Sequence, residues 1–139
     1  MTSISFFSED IDFEFTHEES CISWLKNAIK NESKIAGELS FVFCDDNYLH
    51  KINLEYLNHD TYTDIITFDY TEANIIAGDI FISIDRVKEN AKTFNTLFEN
   101  ELSRVIIHGV LHLMGYKDKT QEESSLMRAK EDFYLNLLS

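Results

Sequence analysis

The chain has 139 residues, of which 44% are hydrophobic and 13% aromatic, a composition that suits one domain with one core. Its formal net charge of −13 argues against a protein that draws in nucleic acid by bulk electrostatics. No apolar run of about 18 residues offers a membrane span, and the N-terminus lacks the basic start and apolar stretch of a signal peptide, so a cytoplasmic location is expected.

The chain contains no proline, so glycine and polar residues must punctuate it. Residues 2–7 and 11–15 alternate apolar and polar side chains and are expected as strands. Thr16 to Glu19 fits a capping box, and a helix should run from there to about residue 32, burying Cys21, Trp24, Leu25, Ala28 and Ile29. Residues 38–44 look like a strand. Asp45 and Asp46 suit the start of a helix over 46–56 that turns Tyr48, Leu49, Ile52 and Tyr56 inward. Residues 63–70 and 78–84 are β-branched and apolar and are expected as strands. A helix is expected over 85–95, and a second over 98–114 that is apolar on nearly all sides and belongs in the core. Thr120 to Glu123 is another capping box. It opens an amphipathic C-terminal helix carrying Leu126, Phe133, Leu137 and Leu138. The order predicts one α+β domain over 1–139, with a mixed sheet of about four strands and about five helices. Cys21 and Cys44 lie far apart, outside any C-x-x-C pair, and are expected as reduced, buried thiols.

The chemistry concentrates in the core helix. His108 and His112 are one helical turn apart on one face, so their imidazoles can converge on one ion at about 2.0–2.1 Å. That spacing alone is a weak signal, because two hydrogen-bonded core histidines would look the same. Two features sharpen it. Burying two polar rings in so apolar a helix is costly without partners. Gly115 then permits the left-handed turn that would bring Asp118 back to the histidines. Gly109 stands where H-E-x-x-H peptidases carry their general-base Glu, so the metal itself would have to activate water. That glycine would let the helix approach a neighbouring backbone or admit a bulky substrate. His17 is expected in a helix's first turn, and His50 and His59 read as surface or hydrogen-bonding residues.

The segment from His108 to Asp118, His-Gly-Val-Leu-His-Leu-Met-Gly-Tyr-Lys-Asp, resembles the signature H-G-x-L-H-L-x-G-Y-D-H of the YbeY family of rRNA-maturation endoribonucleases. Asn53-Leu-Glu-Tyr56-Leu57 followed by Thr63-Asp-Ile-Ile-Thr-Phe68 resembles the family's L-N-x-x-Y-R and P-T-D-V-L-S-F. Ala77-Gly-Asp-Ile-Phe-Ile-Ser83 resembles its L-G-D-I-x-I-S. The resemblance covers roughly residues 35–135. It implies a small α+β domain with one metal, usually zinc, in a positively lined cleft. It also implies cleavage of single-stranded RNA at the 3′ end of the small-subunit rRNA, in company with ribosomal or ribosome-associated proteins. His108 and His112 carry over as ligands, and as the catalytic centre together with Asp118.

Three positions depart from the pattern. Asp118 stands where the family has a third His, which keeps a zinc donor but makes Fe(II) or Mn(II) thinkable as well. Leu57 stands in place of the family's Arg, whose role cannot be carried over. Tyr62 replaces a Pro. The acidic charge sits awkwardly with RNA, unless Arg86, Lys88, Lys92, Lys117 and Lys119 form a local patch or a protein partner delivers the substrate. A hydrolase of peptide or amide bonds and a non-catalytic ribosome-associated metal module are the competing readings. Only three protein ligands are found, where structural zinc sites usually close with four, which favours catalysis.

Overall fold

Apolar residues fall on alternate positions along two segments, Leu39, Phe41, Phe43 and, with Gly78 in the series, Ile76, Ile80, Ile82, and all six apolar residues are buried in one cluster. Such a period puts one face of a strand against a core and leaves the other for a second layer. The computed structural model, which describes residues 3–59 and 63–138, realises this as a two-faced sheet with helices. The elements in chain order are β1 (Ser3–Glu9), α1 (Glu18–Asn31), β2 (Ile35–Cys44), α2 (Asp46–Leu57), β3 (Ile65–Asp69), β4 (Ile75–Ser83), α3 (Ile84–Thr93), α4 (Phe98–Leu113) and α5 (Gln121–Asn136). The sheet order is β1-β2-β4-β3. β1, β2 and β4 are parallel, and β3 pairs antiparallel with β4 at the edge. The fold is therefore α+β with a mixed sheet, as expected.

Side chains of α1, α4 and α5 share the larger cluster with the inward faces of β2 and β4. On the opposite face Leu49 of α2 packs with Cys44 and Ile66, and Phe68 and Phe81 border them. Burial pushes both thiols, Cys21 and Cys44, up to about 12, so neither is a thiolate at neutral pH. Helix α4 lies in the middle and buries Leu102, Val105, Ile106, Ile107, Val110, Leu111 and Leu113. Each such side chain is worth about 1.5–3 kcal/mol, enough to hold the helix firmly while two histidines ride on its rim. Among the described residues no helix is long and apolar enough to cross a membrane.

Several expectations need correcting. Residues 11–15 are not a strand. Phe13 and Phe15 instead pack their rings on Phe43 at 5.2 and 5.3 Å, so their apolar alternation is satisfied without a ladder. The Thr16 capping box does not form, because His17 is the N-cap and makes no side-chain cap bond. Starting one residue later, α1 places Glu19 too early in its first turn to reach back. In α2 the inward position after Leu49 is taken by Asn53, and Tyr56 is exposed against Phe68. The buried face of α5 is Met127, Glu131 and Tyr134, while Leu126, Phe133 and Leu137 are exposed. β4 begins earlier than expected and β3 is shorter at both ends. The Asp45 cap of α2 and the Thr120 capping box of α5 both form. Tyr62 lies outside the described residues.

Candidate metal centre

The centre is built at the C-terminal end of α4. Gly115 takes a φ of 102°, which favours glycine. Its N–H bonds the His112 carbonyl at 3.0 Å, and the Tyr116 N–H bonds the Leu111 carbonyl at 3.0 Å. These two bonds satisfy carbonyls that the helix end leaves open, and they reverse the chain. The reversal brings Asp118 back over the helix and aims the Tyr116 carbonyl at His112.

Three atoms then converge. His108 Nε2 and His112 Nε2 are 2.9 Å apart, and Asp118 Oδ2 lies 3.3 Å from each. Bonds of about 2.0–2.1 Å to a tetrahedral zinc would set ligand atoms about 3.3 Å apart, so the spacing fits one small divalent ion. The side chains are partly open to solvent, at 22% for His108, 26% for His112 and 40% for Asp118. Among the described residues no fourth His, Cys, Asp or Glu joins the group.

The far side of each ring fixes which nitrogen offers a lone pair. His112 Nδ1 lies 3.0 Å from the Tyr116 carbonyl, which can only accept, so Nδ1 carries the proton and Nε2 is left as a donor to metal. His108 Nδ1 is 2.6 Å from Glu131 Oε2. Burial alone would raise the Glu131 carboxyl, but hydrogen bonds from His108 and Arg104 and their charges hold it below the usual range. It is therefore a carboxylate, and His108 Nδ1 also carries the proton. Two imidazole nitrogens and a carboxylate oxygen thus face one another at 2.9–3.3 Å, an arrangement that suits a cation at their centre. Burial pulls the His108 pKa down, yet Glu131, Asp118 and Asp64 more than offset that and leave it raised.

Glu131 is held in turn. Arg104 donates Nη1 to Glu131 Oε1 at 2.8 Å and Nη2 to Asp132 at 2.7 Å. Spacing alone did not single out Glu131 and Arg104. A signal existed: Met127, Glu131 and Tyr134 fall at helical spacing, so a carboxylate stands in an otherwise inward register.

A cavity of about 410 Å³ opens beside His108 and Asp118, and Asp64, Glu101, Arg104, Arg128 and Glu131 are among its walls. Glu101 is buried there, and burial pushes its carboxyl up, against the pull of Arg104. Arg86, Lys88, Lys92, Lys117 and Lys119 do not line this cavity. Arg86 instead pairs with Asp46 at 3.0 Å. Leu57 does not line it either. A larger hollow of about 760 Å³, whose mixed lining includes Phe13, Trp24, Phe98, Glu99 and Arg104, holds none of the three ligand candidates. His17 caps α1 and His59 is exposed, so neither joins the centre.

Gly109 fills neither of the two roles expected from the sequence, since its close neighbours are side chains and not backbone. A Cβ there would lie 2.9 Å from Ile65 Cδ1 and 3.1 Å from Ile80 Cγ2. The glycine lets α4 press against side chains of the sheet, and it does not line the cavity.

The family model described as Endoribonuclease YbeY matches residues 3–139. A Christiangramia forsetii protein named Endoribonuclease YbeY is 59% identical over 129 residues, 93% of this chain and 90% of its own length. A Flavobacterium johnsoniae protein of the same name is 56% identical, covering 91% of each chain. A solution structure from Thermotoga maritima superposes with a TM-score of 0.70 at 28% identity, over 97% of this chain and 88% of the other. The chain belongs to the YbeY endoribonuclease family.

Proposed function

We propose that this chain, acting as one domain over 1–139, is a metal-dependent endoribonuclease that cuts single-stranded RNA in the cytoplasm during maturation of the small-subunit rRNA 3′ end. Family membership makes it a nuclease, a hydrolase acting on RNA. The observation that carries the metal dependence is the meeting of His108 Nε2, His112 Nε2 and Asp118 Oδ2 with both Nδ1 atoms occupied. These three residues hold one divalent ion, zinc by preference, with Fe(II) or Mn(II) also suited to two histidines and a carboxylate.

When bound, such an ion supplies Lewis acidity and activates water near neutral pH. The chain's own residues do the rest. Glu131 and the Tyr116 carbonyl lock the tautomers and ring orientations of the two histidines. Arg104 keeps Glu131 charged and in place. Three protein donors leave room for a water or a substrate oxygen, the arrangement of a catalytic site and not of a closed structural one. Gly109 faces the sheet and provides no base, which sets the site apart from H-E-x-x-H peptidases. Ribosomal or ribosome-associated proteins are the expected company of the RNA.

The test is cleavage of single-stranded rRNA fragments, with duplex RNA and peptides as alternative substrates. Wild-type protein should cut the single strand, a chelator should stop it, and His112→Ala should be inactive and metal-poor. Cleavage of peptides alone, or undiminished RNA cleavage by metal-free protein, overturns the reading.

A further inference from the structure

Two side chains on the wall of the metal-site cavity have no evident structural duty. Phe94 caps α3 through its backbone, with its N–H on the Asn90 carbonyl at 2.9 Å. Its ring is another matter, because Phe94 is 60% exposed and belongs to neither core cluster. Arg128 projects from the second turn of α5 with its side chain 63% exposed. Its nearest acidic oxygen is Glu131 Oε1 at 3.9 Å, too far for a hydrogen bond. Glu131 already accepts from Arg104 at 2.8 Å and His108 at 2.6 Å. The other arginine of this wall differs: Arg104 is 20% exposed, with both terminal nitrogens engaged by Glu131 and Asp132. Arg104 is therefore neutralised within the protein, and Arg128 keeps a guanidinium facing solvent. Phe94 and Arg128 line the same cavity as His108 and Asp118, and Asn90 and Ser124 are also among its walls.

We propose that Phe94 and Arg128 form a binding subsite for single-stranded RNA, in which one base stacks on the Phe94 ring and the Arg128 guanidinium pairs with a backbone phosphate. This deepens the endoribonuclease reading and rests on it. An exposed ring offers its face to any unpaired base, whereas bases in a duplex are already stacked on their neighbours. The planar fork of arginine matches two phosphate oxygens at once. The pairing of the two features also resolves the charge conflict. A chain with a net charge of −13 repels RNA at long range, so its hold must come from short-range stacking and a cation that faces solvent with only a long contact to a carboxylate.

The test uses the metal-loaded full chain and a fluorescein-labelled, unstructured oligoribonucleotide, with binding read by anisotropy across a salt series and strand integrity checked on a gel. Phe94→Ala should weaken binding roughly tenfold and leave the salt slope unchanged, and Phe94→Trp should restore the affinity. Arg128→Gln should weaken binding and reduce the slope of log affinity against log salt by about 0.7, the release expected for one phosphate contact on a single strand. Arg128→Lys should keep the slope while losing part of the affinity. A blunt duplex of the same sequence should not distinguish Phe94→Ala from wild type. Metal content and melting temperature should match wild type in all four variants, since both side chains are exposed. Wild-type affinity and slope in either Phe94→Ala or Arg128→Gln, with the wild-type chain still binding and cutting RNA, overturns the subsite alone. A wild-type chain that neither binds nor cuts RNA overturns the endoribonuclease reading and the subsite with it.

Discussion

Glu131 Oε2 sits 2.6 Å from His108 Nδ1, across the gap between α5 and α4. The two residues are far apart in sequence, yet the carboxylate determines which nitrogen of the histidine is free. It also raises the basicity of the opposite nitrogen, the one that meets His112 and Asp118. Glu131→Gln can still accept the Nδ1 proton but carries no charge, so metal affinity should fall by about tenfold. Glu131→Ala removes the acceptor and should approach a loss of about a hundredfold. Competition with a chromophoric chelator measures both. Wild-type affinity in Glu131→Ala would show that His108 needs no partner on its far side.

Asp118 should behave as a ligand and not as a surface acid. Its Oδ2 is 3.3 Å from both Nε2 atoms, which leaves room for one ion between the three. Asp118→His places an imidazole, a good zinc donor and the family's third ligand, at this position, so affinity should be retained or increased. Asp118→Ala deletes the donor and should lose metal during dialysis against a weak chelator. Equal metal content in wild type and Asp118→Ala would remove this residue from the site.

Gly109→Ala tests how closely α4 seats on the sheet. The added Cβ would lie 2.9 Å from Ile65 Cδ1 and 3.1 Å from Ile80 Cγ2, so side chains of β3 and β4 must give way. Overpacking of this kind costs typically about 1–3 kcal/mol, against a helix-propensity gain of about 1 kcal/mol. Net destabilisation in urea unfolding is expected, with the folded variant still holding metal less firmly because its helix is displaced. A stabilised variant would mean that Ile65 and Ile80 move aside freely.

What the sequence made legible was local. His108, His112 and Asp118 could be connected because one helical turn and one glycine reversal fall within a single short segment. Glu131 and Arg104 could not, since they act across two helices, and their alignment depends on how α5 is rotated. That rotation was misjudged: Leu126, Phe133 and Leu137 form an apolar stripe, yet the face that turns inward is Met127, Glu131 and Tyr134. The carboxylate hides the buried stripe from a purely apolar reading, and its burial is compensated by Arg104 and His108. Lys117 and Lys119 adjoin Asp118 in the chain but do not line the cavity. Adjacency in a loop says little about a shared wall, and Arg128 reaches that wall from the next helix.

The last prediction concerns pH and a half-buried carboxylate. Glu32, at the C-cap of α1, accepts from Tyr116 Oη at 2.5 Å, from Tyr134 Oη and from Lys130 Nζ at 3.1 Å. It therefore ties α1 and α5 to the loop whose carbonyl orients His112. Burial would raise its pKa, but the hydrogen bonds from Tyr116, Tyr134 and Lys130, with the lysine's charge, outweigh burial and leave it lowered. A lowered folded value means that folding favours the carboxylate. Its stabilisation is fully present above the ordinary value of 4.5 and is lost as pH falls through the lower folded value. The opposite sign holds for Tyr134, whose hydroxyl is pushed up from 10.0 to about 12 by burial and by Glu32. That contribution is present below pH 10.0 and is lost as pH rises towards about 12. Glu32→Gln should cost about 2 kcal/mol at neutral pH, the scale of hydrogen bonds to a charged group. The cost should shrink between about pH 4.5 and strongly acidic conditions, because wild type loses the same stabilisation there. Urea unfolding of both proteins across that range gives the difference directly. A gap between wild type and Glu32→Gln that stays constant down to low pH would mean that the carboxylate's charge contributes nothing to holding the three elements together.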